Sequence, residues 1–166
     1  MLLGHLPAGY LASTAALARL GVGAVARRRL MAAALVASVA PDLDLLFFYG
    51  VDRGVHHHAF VTHWPVLWVG LAASGALLGA VLGRRLWVLG ALVVGAGGLL
   101  HLALDSIAGE VRWLAPWSVA SVTLAEVPPR FDSWILSFVA HWTFGVELAL
   151  VAFGLIVWRR KRAPRR

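Results

Sequence analysis

The chain contains no cysteine. Disulfides and thiolate metal sites are therefore excluded, and any metal must be held through nitrogen and oxygen. Charge is also scarce: 14% of the 166 residues are charged, against about 25% in an ordinary soluble domain. With 60% hydrophobic residues and a mean hydropathy of +0.79, a soluble domain of this length would lack polar surface. A multi-pass membrane protein is the natural class. No internal repeat and no stretch with the composition of a second, soluble domain is present. The basic opening of a signal peptide is missing too, since His5 is the one early basic group before Arg19. The first apolar run is accordingly expected to be a retained helix.

What is present is a series of apolar runs, at about 6–25, 30–49, 60–82, 86–108 and 133–158. Each approaches the roughly 20 residues that cross a bilayer. The expectation is an all-α, multi-pass transmembrane bundle of about five helices. It would form one membrane-embedded domain over residues 1–158, followed by a basic cytoplasmic tail at 159–166. Residues 109–132 are too apolar for a free linker and carry Trp113 and Trp117. They read as an interfacial segment, because tryptophan favours the headgroup level, and such a segment is placed to cover a site as a lid.

The net charge of +7 lies in short clusters beside the apolar runs. These are topology signals and contacts for anionic membrane lipids rather than a nucleic-acid patch. Arg27, Arg28 and Arg29 follow the first run, Arg84 and Arg85 the third, and Arg159, Arg160, Lys161, Arg162, Arg165 and Arg166 the fifth. The opposite connections carry Arg53, Arg112 and Arg130. The positive-inside rule then puts the N-terminus outside and the C-terminus in the cytoplasm of a cytoplasmic (inner) membrane.

The other ionisable residues gather on the arginine-poor side. Such groups in or beside hydrocarbon are expensive and mark function by default. His101 and Asp105 are spaced i, i+4, which puts their Cβ atoms about 5–6 Å apart on one helix face. That suits two ligands of one metal, or a ligand and its orienting partner. In Pro41-Asp42-Leu43-Asp44 the proline loosens the helical ladder, so a broken segment can turn both carboxylates inward, or Asp42 can cap a short helix. Asp44 is the preferred ligand and Asp42 the general base or orienter. His56, His57, His58 and His63 form the densest imidazole cluster, imidazole being the commonest metal ligand. Thr62, beside His63, can hydrogen-bond a ligand or cap the third helix, and capping is the preferred reading. His5 joins the candidates through its place at the outer end of the first helix. His141 and Glu147, six apart, fall on different helix faces, and Glu147 is expected to meet a polar partner on another helix. Asp132, Glu110, Arg112 and Arg130 read as interfacial.

This order of motifs resembles a known family. An early His5, Pro41-Asp42-Leu43-Asp44, His57-His58-Ala59-Phe60-Val61-Thr62-His63 and His101-Leu102-Ala103-Leu104-Asp105, leading into Gly109 through Pro116, is similar to the LexA-binding, inner-membrane-associated metal-dependent hydrolases. The likeness covers roughly residues 1–118. That family's third motif has an arginine and a final serine. Here Ala59 or His58 takes the arginine position, depending on whether His58 or His57 is the first ligand, and Trp64 replaces the serine. A more distant similarity links the family to zinc-dependent phospholipase C and related single-strand nucleases. The resemblance implies a hydrolase holding one or two divalent ions, zinc in the first place, and acting on a phosphoester of a lipid or other amphiphile. The expected metal ligands are His5, Asp44, His57 or His58, His63, His101 and Asp105. A non-catalytic metal-binding carrier, sensor or scaffold is the alternative, and a protein whose polar residues serve only helix packing is a third.

Overall fold

The computed structural model describes residues 1, 3–51, 54 and 57–162. Among them the architecture is helical. The helices are α1 (His5–Ala18), α2 (Ala24–Ala37), α3 (Asp44–Gly50), α4 (Pro65–Val81), α5 (Arg85–Asp105), α6 (Trp134–Val139) and α7 (Thr143–Arg162), with 3-10 turns at Ala40–Leu43, His57–Ala59 and Val61–His63. The strand-like pairing among the described residues is one bridge, Val111 with Val122. The expected helical bundle is thus observed, with five longer helices and two short ones.

The individual helices differ from the expected spans. By length and composition, α5 and Trp142–Arg162 can each cross a membrane, and the bent pair Ala24–Ala37 and Ala40–Gly50 makes a third candidate. The first run stops at Ala18 after 14 residues, about 21 Å of helix at 1.5 Å per residue, short of the roughly 30 Å hydrocarbon core. Gly21 and Gly23 follow, and glycine is unfavourable in a helix interior. The third run also shortens. Residues 57–63 coil into 3-10 turns, and α4 begins with Pro65 at its first turn after an extended Trp64, the geometry proline imposes on its predecessor. The fifth run, read as continuous, breaks between Val139 and Thr143, where His141 Nδ1 lies 2.9 Å from the Thr143 hydroxyl.

Small residues set the helix spacing. At Gly97 a Cβ would lie 2.8 Å from Ala37 Cβ and 3.1 Å from the Ala34 carbonyl oxygen. At Gly98 it would fall inside the Trp68 ring. α5 therefore sits directly on α2 and α4, with Ala37, Trp68, Leu102 and Val111 forming a buried cluster. Two indoles brace the loop before α4: Trp64 Nε1 donates to the Ala59 carbonyl at 3.1 Å and Trp68 Nε1 to the Thr62 carbonyl at 2.8 Å. The chain after α5 straps back over the helix end through Leu124 N–H to the Ser106 carbonyl, 2.8 Å, and Trp113 Nε1 to the Ser106 hydroxyl, 2.8 Å. Leu114, Trp117, Val119 and Leu124 of this strap are exposed.

Two glycines of α5 separate packing from helix propensity. Gly97→Ala should lower the thermal midpoint in detergent, an overpacking penalty of about 1–3 kcal/mol. Gly90, with nothing near its virtual Cβ, should tolerate alanine or gain up to about 1 kcal/mol. Equal effects at the two positions would contradict the close approach of α2 to α5.

Candidate metal centre

Proline creates the first element of the site. Pro41 has no N–H, and the Asp42 N–H turns back to the Val39 carbonyl at 3.2 Å. The Ser38 carbonyl is thereby left without a helical donor and meets His101 Nδ1 at 2.9 Å. A carbonyl only accepts, so Nδ1 of His101 carries a proton, and in the neutral ring Nε2 presents a lone pair. His63 repeats the device: its Nδ1 is 2.7 Å from Asp44 Oδ2, which also accepts from the Thr62 hydroxyl at 2.6 Å. His58 repeats it again, with Nδ1 3.1 Å from the Glu110 carbonyl. Three rings, two from the loop before α4 and one from α5, are thus backed at Nδ1 and present Nε2.

All three Nε2 atoms meet the carboxylate of Asp105. Its Oδ2 lies 2.9 Å from His101 Nε2, 3.6 Å from His63 Nε2 and 3.6 Å from His58 Nε2. Oδ1 faces His5 Nε2 at 3.1 Å and the Met1 amino group. Asp42 Oδ1 closes the group, 3.5 Å from His101 Nε2 and 3.9 Å from His63 Nε2. The ligating atoms of Asp42, His63, His101 and Asp105 all lie within 4.8 Å of one another, and those of His57, His58 and His63 form a second such set.

With the rings neutral these groups do not satisfy one another: His5 Nε2, His63 Nε2, His101 Nε2 and Asp105 Oδ2 are buried and then have no donor to share. Lone pairs of imidazole and carboxylate facing each other repel unless a proton or a cation lies between them. Donors about 2 Å from one ion sit roughly 3–4 Å apart, the spacing seen here. Backing of the distal imidazole nitrogen by a carboxylate or carbonyl is the usual support of a metal-binding histidine. The donor set therefore fits a divalent ion that accepts nitrogen and oxygen.

The sequence model of the YdjM inner membrane protein family matches residues 1–163. The chain belongs to that family. Comparison with curated proteins and with solved structures gave no match.

In this YdjM-family chain the two carboxylates of Pro41-Asp42-Leu43-Asp44 take positions opposite to those expected. Asp44, the preferred ligand, stands behind His63; Asp42, the expected base or orienter, has an oxygen inside the four-residue set. The 3-10 turn at Ala40–Leu43 separates the two directions, and Asp44 opens the following helix. Thr62 does not cap α4, whose N-cap is Trp64 without a side-chain bond; its hydroxyl holds Asp44. His5 stacks on His101, ring centroids 3.7 Å apart at 14°. Of the adjacent histidines, His58 is buried beside Asp105 while His57, half-buried, has Nδ1 3.6 Å from Asp44 Oδ1. Gly109 makes room for His58, since a Cβ there would stand 2.7 Å from His58 Cε1. His56 lies outside the described residues. Asp132 and Arg130 are exposed, and His141 is engaged with Thr143. Two participants had no residue-type signature, the main-chain carbonyls of Ser38 and Glu110. Only Pro41 hinted at the first.

Burial disfavours the charged form of His63, but the Asp105 and Asp44 carboxylates beside it outweigh that and raise its pKa above the ordinary 6.5. A raised folded-state pKa stabilises the protein below the unfolded value, and the gain is lost as pH rises through the folded one. With chelator present, the thermal advantage of the wild type over His63→Gln should be largest below pH 6.5. It should shrink as pH climbs past His63's elevated pKa; a constant difference from pH 5 to 9 would refute the carboxylate pairing.

Proposed function

We propose that this YdjM-family protein is a metal-dependent hydrolase of the inner membrane, acting at the outer face on a phosphoester of a lipid or another amphiphile. The single supporting observation is the convergence of three back-supported imidazoles on the buried Oδ2 of Asp105. His58, His63, His101, Asp105 and Asp42 would hold one or two ions, with zinc favoured by the nitrogen-rich set. His5 is a further donor.

A divalent ion held there supplies a Lewis acid and brings the pKa of a bound water to about 7. The protein's own residues do the rest. The Ser38, Asp44 and Glu110 acceptors keep the rings in one tautomer and orientation. Asp42, whose side chain is 27% exposed where the other carboxylates of the cluster are covered, stands at the open side of the donor set, where water and substrate would reach the ion. The exposed apolar residues of the strap suit an amphiphile arriving from the lipid interface.

The charge pattern supports the orientation. Asp42, His101 and Asp105 lie at or beyond the C-terminal ends of α2 and α5, while Arg27, Arg28, Arg29, Arg84 and Arg85 lie near their N-terminal ends. With the arginines in the cytoplasm, the N-terminus and the site face outward and the C-terminus inward. Between Arg85 and His101, α5 carries no ionisable residue, which favours a one-sided site over a carrier's pathway.

Elemental analysis of the purified protein tests the reading. The wild type should hold divalent metal stoichiometrically, His101→Ala should lose at least one ion, and Asp44→Asn should weaken binding about 10–100-fold, as loss of a ligand's supporting partner does. Lipid phosphoester cleavage should follow the metal content. A wild type without metal, or one fully loaded and inactive on all such substrates, would remove the ion or the hydrolysis respectively.

A further inference from the structure

Glu147 is fully buried on α7, within an apolar run, at a distance in sequence from every donor of the site. An ionisable side chain so placed needs a partner. Its Oε2 accepts the Leu3 main-chain N–H at 2.5 Å. That contact falls where α1 lacks support of its own. The helix starts at His5 after Gly4, with no side-chain cap and no acidic residue in its first turn. Leu3 stands one residue before the N-cap Gly4, so the contact seats the carboxylate beside the positive end of the α1 dipole.

The surrounding packing is close. A Cβ on Gly4 would lie 3.4 Å from Leu150 Cδ1 and 3.5 Å from Glu147 Cγ, and one on Gly154 would lie 3.3 Å from Pro7 Cβ. The start of α1 is therefore seated on α7 at three successive turns. Two residues beyond Leu3, His5 emerges buried, stacked on His101 and facing Asp105 Oδ1. Apart from the Met1 amino group, His5 is the contribution of α1 to the cluster. Its own Nδ1 has no hydrogen-bond partner, in contrast to the backed rings of His58, His63 and His101. Its place is set by the main chain that carries it.

We infer that Glu147 is a positioning residue for the metal centre: by holding the Leu3 N–H it fixes the start of α1 so that His5 stands against His101 and Asp105. This rests on the metal reading only for its functional consequence; the placement of His5 stands apart from it. Glu147 thereby gives α7 a role at the site without itself reaching the donors.

Two measurements on the full-length protein in detergent decide it. The first is histidine carbethoxylation read by mass spectrometry. His5 should be protected in the wild type and in Glu147→Gln, whose amide oxygen still accepts the Leu3 N–H, and should react at least fivefold faster in Glu147→Ala while His101 stays protected. The second is zinc affinity in a double-mutant cycle. Glu147→Ala and His5→Ala should each weaken binding by a similar factor, and the double variant should be no weaker than either. Unchanged His5 protection in Glu147→Ala overturns the proposal, as does exposure of His101 along with His5, which would mean general unfolding. Penalties that multiply in the double variant overturn it as well. A wild type that binds no zinc sinks the metal reading alone, because carbethoxylation still decides the role of Glu147.

Discussion

A buried carboxylate oxygen and several imidazole nitrogens share one small space in which neutral rings offer no donor between them, and the rest of the structure answers to that constraint. Acceptor facing acceptor in a low-dielectric interior is repulsive. It persists because each ring is held from behind, His101 by the Ser38 carbonyl, His63 by Asp44 and His58 by the Glu110 carbonyl. Remove those supports and the rings can turn so that Nδ1–H meets Asp105 directly, relieving the repulsion and dissolving the convergence. The back-supports therefore do more than add hydrogen bonds: they select the tautomer and rotamer in which a cation is the natural complement.

The fold delivers these supports through departures from regular structure. α2 breaks at Pro41 and releases a carbonyl. The run before α4 coils instead of extending the helix, braced by Trp64 and Trp68. The strap after α5 returns over the helix end and brings the Glu110 carbonyl to His58. Each departure leaves main-chain groups unpaired, which hydrocarbon does not tolerate, yet these groups are satisfied by site residues, indoles or one another. The glycine-rich face of α5 allows the close approach that brings the Ser38 carbonyl within reach of His101.

Membership of the YdjM inner membrane protein family agrees with the apolar composition and long apolar helices. The chemistry belongs to the site rather than to the helical scaffold, since a bundle can host many functions. What distinguishes this bundle is polarity along its axis: donors gather at one end of α5 and arginines at the other. The proposed activity on amphiphiles from one leaflet would use that asymmetry.

Much of this was legible without coordinates. Low charge and apolar runs predict a helical membrane protein, because a chain that cannot clothe itself in polar groups must face lipid. The arginine clusters and the i, i+4 pair His101 and Asp105 gather the candidate donors on one side, since helical periodicity and charge bias are local properties. Five full spans were not legible correctly: Gly21, Gly23, the break before Thr143 and the coil before Pro65 shorten helices whose composition alone looks sufficient. Nor did spacing tell Asp42 from Asp44, or His57 from His58. Those choices depend on which way a short turn faces and on acceptors supplied by Ser38, Thr62 and Glu110 from elsewhere in the chain. Residue type and local period thus determined which donor groups the chain carries and that they gather away from the arginine clusters. Only tertiary packing decided which nitrogen and which oxygen face inward, because that orientation is set by hydrogen bonds between segments far apart in the chain, 63 residues for His101 and Ser38.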